Sequence, residues 1–165
     1  MIYINKSSYL GYENLKFKCA IGKAGIGKKK AEGDNITPKG TYKVIKIYYR
    51  KDRIKELVSQ IKLIKIEKNM GWCNDPKSKK YNQLINLPTK YSHEKLYRRD
   101  NIYDVILVLN YNMKPTIRYK GSAIFIHVAR KKFPPTKGCM AICRKNLLYL
   151  TEHISKNIKI KISAN

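Results

Sequence analysis

Hydrophobic and polar positions alternate with period two over much of the first third of the chain. Ile2–Asn5, Tyr9–Tyr12 and Leu15–Ile21 are short alternating runs divided by turn residues, which predicts a meander of strands. Thr41–Arg50 (TYKVIKIYYR) also alternates and is β-branched or aromatic, so it predicts a further strand. The period changes at Asp52–Gln60, where Ile54, Leu57, Val58 and Ile61 fall on one face of a short helix. Ile61–Ile66 returns to a strand pattern, and residues 70–104 predict mostly irregular chain. Asp104–Asn110 and Ser122–Ala129 are the two most apolar strand candidates, joined by a loop with Pro115 and Gly121. Lys145–Ile154 sets Leu147, Leu150 and Ile154 at helical spacing, and Asn157–Ile162 (NIKIKI) alternates strictly as a closing strand. The pattern predicts a mainly β fold, a β-rich α+β arrangement with two or three short helices.

Length and composition bound this picture. At 165 residues and 43% hydrophobic content the chain fits one domain with a core of its own, spanning residues 1–165. No apolar run approaches the ~18 residues of a membrane span; the best is Val105–Leu109. Residues 1–20 lack a signal-peptide pattern, because Lys6, Glu13 and Lys16 interrupt any apolar stretch. The formal charge is +25, yet 29 of the 36 basic residues are Lys. A nucleic-acid binder would present Arg-rich stripes with aromatics beside them, so a Lys-covered solvated surface is the better reading. Attraction to anionic polymers stays open as a secondary role. Gly22–Lys30 (GKAGIGKKK) fails the phosphate-loop pattern at Lys29, where Ser or Thr is needed, and reads as a flexible basic loop. Acids are scarce, and Glu32, Asp34, Asp75, Glu94, Asp100 and Asp104 fall in Gly/Pro-rich or aromatic-rich blocks rather than on helix faces.

The candidate chemistry lies in residues 121–144, GSAIFIHVARKKFPPTKGCMAICR. His127 ends an apolar strand, a Pro-Pro turn follows, and Gly138-Cys139 opens another apolar run. A Cys after a Gly at a turn faces a cleft, and a nearby imidazole takes the thiol proton or forms an ion pair with the thiolate. A hairpin-like return would set positions 127 and 139 side by side. The four cysteines include no C-x-x-C, and Cys139, Cys143 and His127 lack the spacing of common structural zinc sites, so neither metal nor disulfide is expected. The order His before Cys is not papain-like, and the TLxTC-like strand of sortases is missing.

Several blocks, in order, resemble the L,D-transpeptidase catalytic domain family of YkuD type. Thr37-Pro-Lys-Gly40 is similar to the TPxG block, Gly121–His127 (GSAIFIH) to the histidine strand, and Pro135–Ile142 (PTKGCMAI) to the nucleophile block. Glu32-Gly-Asp34, Gly71–Pro76 (GWCNDP) and Ser92–Asp104 further resemble a compact, single-domain bacterial branch. The resemblance implies a β-sandwich of mixed sheets. It implies Cys139 as nucleophile and His127 as its base, with a backbone carbonyl near Thr136 to Gly138 holding the imidazole tautomer. The N–H groups of Gly138 and Cys139 would stabilise the oxyanion. It implies acyl transfer on peptidoglycan stem peptides with release of D-Ala, acylation by carbapenems, no cofactor, and a place in the cell envelope or periplasm; without a signal pattern the cytoplasm stays open. Two departures bear on substrate anchoring. Lys137 stands where the family has a second His, and Ala141 where it has Arg, so Arg130 and Arg144 are candidates to supply that charge. Trp72 reads as a core or a groove-lining residue, and Asp75 as a turn former or a contact to a stem-peptide amine. Alternatives are an L,D-carboxypeptidase and a noncatalytic basic module binding wall polymer or nucleic acid.

Overall fold

The structure is a computed structural model that describes residues 1–164. Strands β1 (Ile2–Asn5), β2 (Tyr9–Tyr12) and β3 (Leu15–Ala20) form the antiparallel meander that the alternation predicts. Two short strands, β4 (Ile26–Gly27) and β5 (Thr37–Pro38), pair in parallel. Next come the long β6 (Gly40–Tyr49) and the parallel β7 (Leu63–Lys65). β8 (Met70–Cys73), β9 (Leu84–Asn86) and β10 (His93–Lys95) make a separate antiparallel sheet. The chain ends with β11 (Val105–Leu109), β12 (Phe125–Val128), β13 (Met140–Ile142), helix α1 (Arg144–His153) and β14 (Lys159–Ile162). The fold is mainly β, with mixed parallel and antiparallel sheets.

The large sheet runs β11-β12-β13-β3-β2-β1-β14-β6-β7, and β11 also pairs with β6, so the order returns on itself. Length makes this possible: Gly40–Lys43 of β6 pair with β14, and Val44–Tyr49 pair with β11, with a register shift at Val108/Leu109. A buried cluster dominated by Ile, Leu and Val fills the interior, and α1 closes it with Leu147 and Leu150. A second cluster on the other face of β11 and β12 gathers Tyr48, Trp72, Tyr103, Ile106, Val108 and Phe125.

One expectation is corrected. Among the described residues α1 is the one helix, and Asp52–Gln60 makes only a turn before running irregularly. Side chains explain it. Arg50 grips Asp52 with two bonds of 2.8 and 2.6 Å, and Arg53 reaches the carbonyls of Arg98, Arg99 and Asp100. Ile54 and Ile61 are buried, while Val58 is 73% exposed, so the apolar face never assembles. Residues 70–104 are mostly irregular, as expected, but three short strands within them form a sheet that the sequence did not foretell. Those strands have only three or four residues each, too few for a readable period.

Candidate active site

Strand register puts the two key residues on one face. β12 and β13 run in parallel, with Ile126 opposite Met140 and His127 opposite Ala141. The link from β12 to β13 is therefore a crossover, not the hairpin-like return expected from the sequence. Cys139, one residue before β13, comes beside Phe125, and the Phe125 N–H donates to its sulfur at 3.4 Å. Phe125 and His127 are two apart on a strand and share a face. The thiol and the imidazole thus both border the aromatic cluster.

The loop that carries Cys139 is pinned from below by the Thr37 hydroxyl. It donates to the Gly138 carbonyl at 2.9 Å and accepts the Gly22 N–H at 2.8 Å, fully buried. Thr136 donates its hydroxyl to the Cys139 carbonyl at 2.6 Å and accepts the Gly138 N–H at 3.1 Å. Its own backbone pairs with Ile21 and Lys23. Gly138 sits at φ +129°, and a side chain there would come within 2.9 Å of the Ile36 carbonyl, so the position needs glycine.

The expected tautomer anchor is corrected. His127 Nδ1 lies 3.0 Å from the Val128 carbonyl, while the Thr136 and Gly138 carbonyls accept from the Lys23 N–H and the Thr37 hydroxyl. A carbonyl can only accept, so Nδ1 carries the proton and Nε2 is the free base in the neutral ring. The oxyanion expectation also narrows: the Gly138 N–H is engaged by Thr136, leaving Cys139's N–H as the candidate of the two.

Electrostatics favour a neutral resting pair. Burial pushes the Cys139 thiol up to about 12, against the Phe125 N–H and Lys29, while Glu94 adds to the rise. Burial likewise lowers His127 to about 4, and Arg98 and Arg130 help, against the Val128 carbonyl and Asp100. The thiol proton is directed at the Ala123 carbonyl, 3.0 Å away. Ala123 holds φ +52°, a left-handed conformation, with its N–H on Asn82 Oδ1 at 3.1 Å. Tyr103 meets His127 edge-on at 5.5 Å between ring centres and Phe125 at 6.2 Å.

Other expected residues fall in different places. Trp72 is buried in the aromatic cluster, 5.2 Å from Phe125 between ring centres, and its Nε1 donates to Asn82, so it is a core residue and not a groove liner. Asp75 is a turn former, accepting the Lys77 N–H at 2.9 Å. Arg144 is committed to Asp104 at 3.0 Å and to the Arg53 carbonyl, so it does not reach the thiol to replace the missing Arg. Arg130 is largely exposed, 4.0 Å from Asp100, and Lys137 is exposed. All four cysteines are free, and Cys143 is only half-buried. Among the described residues no three His, Cys, Asp or Glu side chains cluster as metal ligands.

Sequence reasoning missed four contributors. Asn82, buried, takes Trp72 and the Ala123 N–H on Oδ1 and gives Nδ2 to the carbonyls of Tyr111 and Asn112. Glu32 binds the hydroxyls of Tyr81 and Ser122, tying the start of the histidine segment to the β4–β5 connection. Tyr103 faces His127. Lys29 is buried and paired with Asp34, which corrects the flexible basic loop. The clue available was the setting of the rare acids Glu32 and Asp34.

The family model for the L,D-transpeptidase catalytic domain, YkuD, matches residues 1–162. The chain belongs to the YkuD family of L,D-transpeptidase catalytic domains. A search of curated proteins returned no match. Among solved structures the chain is similar to an L,D-transpeptidase from Mycobacterium smegmatis, at 12% identity and a TM-score of 0.44. The alignment covers 99% of this chain, which spans 58% of that one.

Proposed function

We propose that this YkuD domain is a cysteine acyltransferase acting on peptidoglycan stem peptides, working where those peptides lie in the cell envelope. The observation that carries the reading is the shared face of Cys139 and His127, with Nδ1 of the imidazole tied to the Val128 carbonyl and Nε2 left as base. In the first half-reaction Nε2 takes the thiol proton as sulfur attacks the amide between the L-centre of a diamino acid and D-Ala. The tetrahedral oxyanion is held by the Cys139 N–H. The C–N bond breaks, the proton passes from His127 to the departing amine, and D-Ala leaves a thioester on Cys139. An acceptor amine then displaces sulfur and forms a cross-link; water in its place gives a shortened stem.

Both resting groups are neutral, so the thiolate forms as the substrate arrives rather than standing ready. The +25 surface charge assists approach to carboxylate-bearing stems and anionic wall polymers. No helix among the described residues is long and apolar enough to cross a membrane. The test is incubation with purified tetrapeptide muropeptides followed by mass analysis. Cross-linked dimers with loss of D-Ala support transpeptidation, and tripeptides alone support the carboxypeptidase. Unchanged muropeptides with folded protein contradict both.

A further inference from the structure

Lys29 is 7% exposed in a chain whose other lysines mostly face solvent. Its ammonium donates to Asp34 Oδ1 at 2.5 Å and to the Ile36 carbonyl at 3.2 Å. Asp34 is itself fixed by the N–H groups of Lys30, Ala31 and Ile36, at 2.7, 3.3 and 3.0 Å. The stem of Lys29 runs against two glycines in left-handed conformations. A Cβ on Gly121, at φ +97°, would lie 2.2 Å from Lys29 Cε, and one on Gly138 would lie 3.6 Å from Nζ. Those glycines belong to the two segments that hold the sulfur: one leads to the Ala123 carbonyl, the other immediately precedes Cys139. A buried ion pair is commonly no more stabilising than apolar residues of the same volume, so stability alone does not account for it.

We propose that Lys29 is a positioning residue of the nucleophile loop, whose buried ammonium between Gly121 and Gly138 supplies the fixed positive charge that favours the Cys139 thiolate. The proposal rests on Cys139 being the nucleophile. Three groups bear on the sulfur from the surrounding elements, Lys29 from the β4–β5 connection, Glu94 from β10 and Tyr103 from before β11, and Tyr103 in turn meets the His127 ring of β12. Lys29 and Glu94 act with opposite sign there. Arg144 is turned to Asp104 and Arg130 to solvent, so neither competes for the role.

The test follows alkylation of Cys139 by iodoacetamide against pH, resolved from the other cysteines by peptide mass. The wild type is compared with Lys29→Met, with Lys29→Met/Asp34→Asn, which leaves no orphaned carboxylate, and with Glu94→Gln. At a fixed pH below the thiol's titration, both Lys29 variants are expected to react at least about threefold more slowly, with the midpoint moved to higher pH. Glu94→Gln moves it the other way, and Cys143 serves as an unchanged reference. An unmoved midpoint in a folded Lys29 variant overturns the proposal, as does an equal change at Cys143. Should both Lys29 variants fail to fold, Asp34→Asn, which leaves the Lys29 ammonium without its counter-charge, is expected to lower the midpoint, and a midpoint that stays put overturns the proposal instead. Alkylation needs no stem peptide, so a moved midpoint stands even where muropeptides are not turned over. Turnover with an unmoved midpoint removes Lys29 and leaves the acyl transfer intact.

Discussion

Along β12, Ile126 and Val128 enter a core of Ile, Leu and Val, whereas Phe125 and His127 turn to a cluster rich in Tyr, Trp and Phe. β11 divides in the same way, with Val105, Leu107 and Leu109 on one face and Ile106 and Val108 on the other. The first face is joined mostly by burial, with few side-chain bonds such as the Tyr12 hydroxyl on the His153 carbonyl. The second is threaded with directed bonds, through Asn82 to Trp72 and Ala123, and through Glu32 to Tyr81 and Ser122. Aliphatic packing tolerates small shifts, but hydrogen bonds of set length and direction do not. One sheet thus serves two ends because period-two alternation sends neighbouring residues to opposite duties.

The sharpest break between the faces is Cys139→Ser. Turnover of stem peptides is expected to fall on the order of 10⁴-fold, while the urea midpoint barely moves. On the other face, Leu107→Ala, at a fully buried position, should cost about 2–5 kcal/mol in urea unfolding. Its folded fraction should still turn over substrate, and a catalytic loss in that fraction would erase the division. Asn82→Ala should fall between, at about 1–3 kcal/mol, because it orphans the Trp72 and Ala123 donors. It should also change the alkylation rate of Cys139, which a purely structural residue would leave alone.

The pH dependence separates the faces more finely. His127 has its pKa lowered from 6.5 to about 4, so the fold prefers the neutral ring. Its contribution is present above 6.5 and is lost as pH falls through about 4, where the folded ring must take a proton. His127→Gln should flatten stability against pH within that window, as read by urea titrations at several pH values. Smallest of all, Lys137→Ala on the exposed loop should shift stability by no more than about 0.5 kcal/mol.

Much of this was legible in the sequence for a physical reason. Half-buried strands such as Ile2–Asn5, Thr41–Arg50 and Asn157–Ile162 declare themselves by alternation, and Leu147, Leu150 and Ile154 declare α1. The Asp52–Gln60 helix failed because guanidinium bonds from Arg50 and Arg53 to distant chain outweigh a four-residue apolar stripe. The short strands β8 to β10 were invisible because their partners, not their own pattern, make them strands. At the site, His127 and Cys139 stood out as residue types with chemistry. Thr37 was legible only as part of a block and not as the clamp on Gly138. Asn82 and Lys29 carried no local signal, since an Asn in a turn and a Lys in a run of lysines look solvated until the fold closes over them.

The central claim, a Cys139 nucleophile in an acyl-transferring site, meets its most direct test in intact-mass analysis after incubation with a carbapenem. The account predicts a single covalent adduct of the drug on the wild type, mapped to the peptide holding Cys139 and missing from Cys139→Ala. A folded wild type that stays at its unmodified mass, or an adduct that persists in Cys139→Ala, would contradict it.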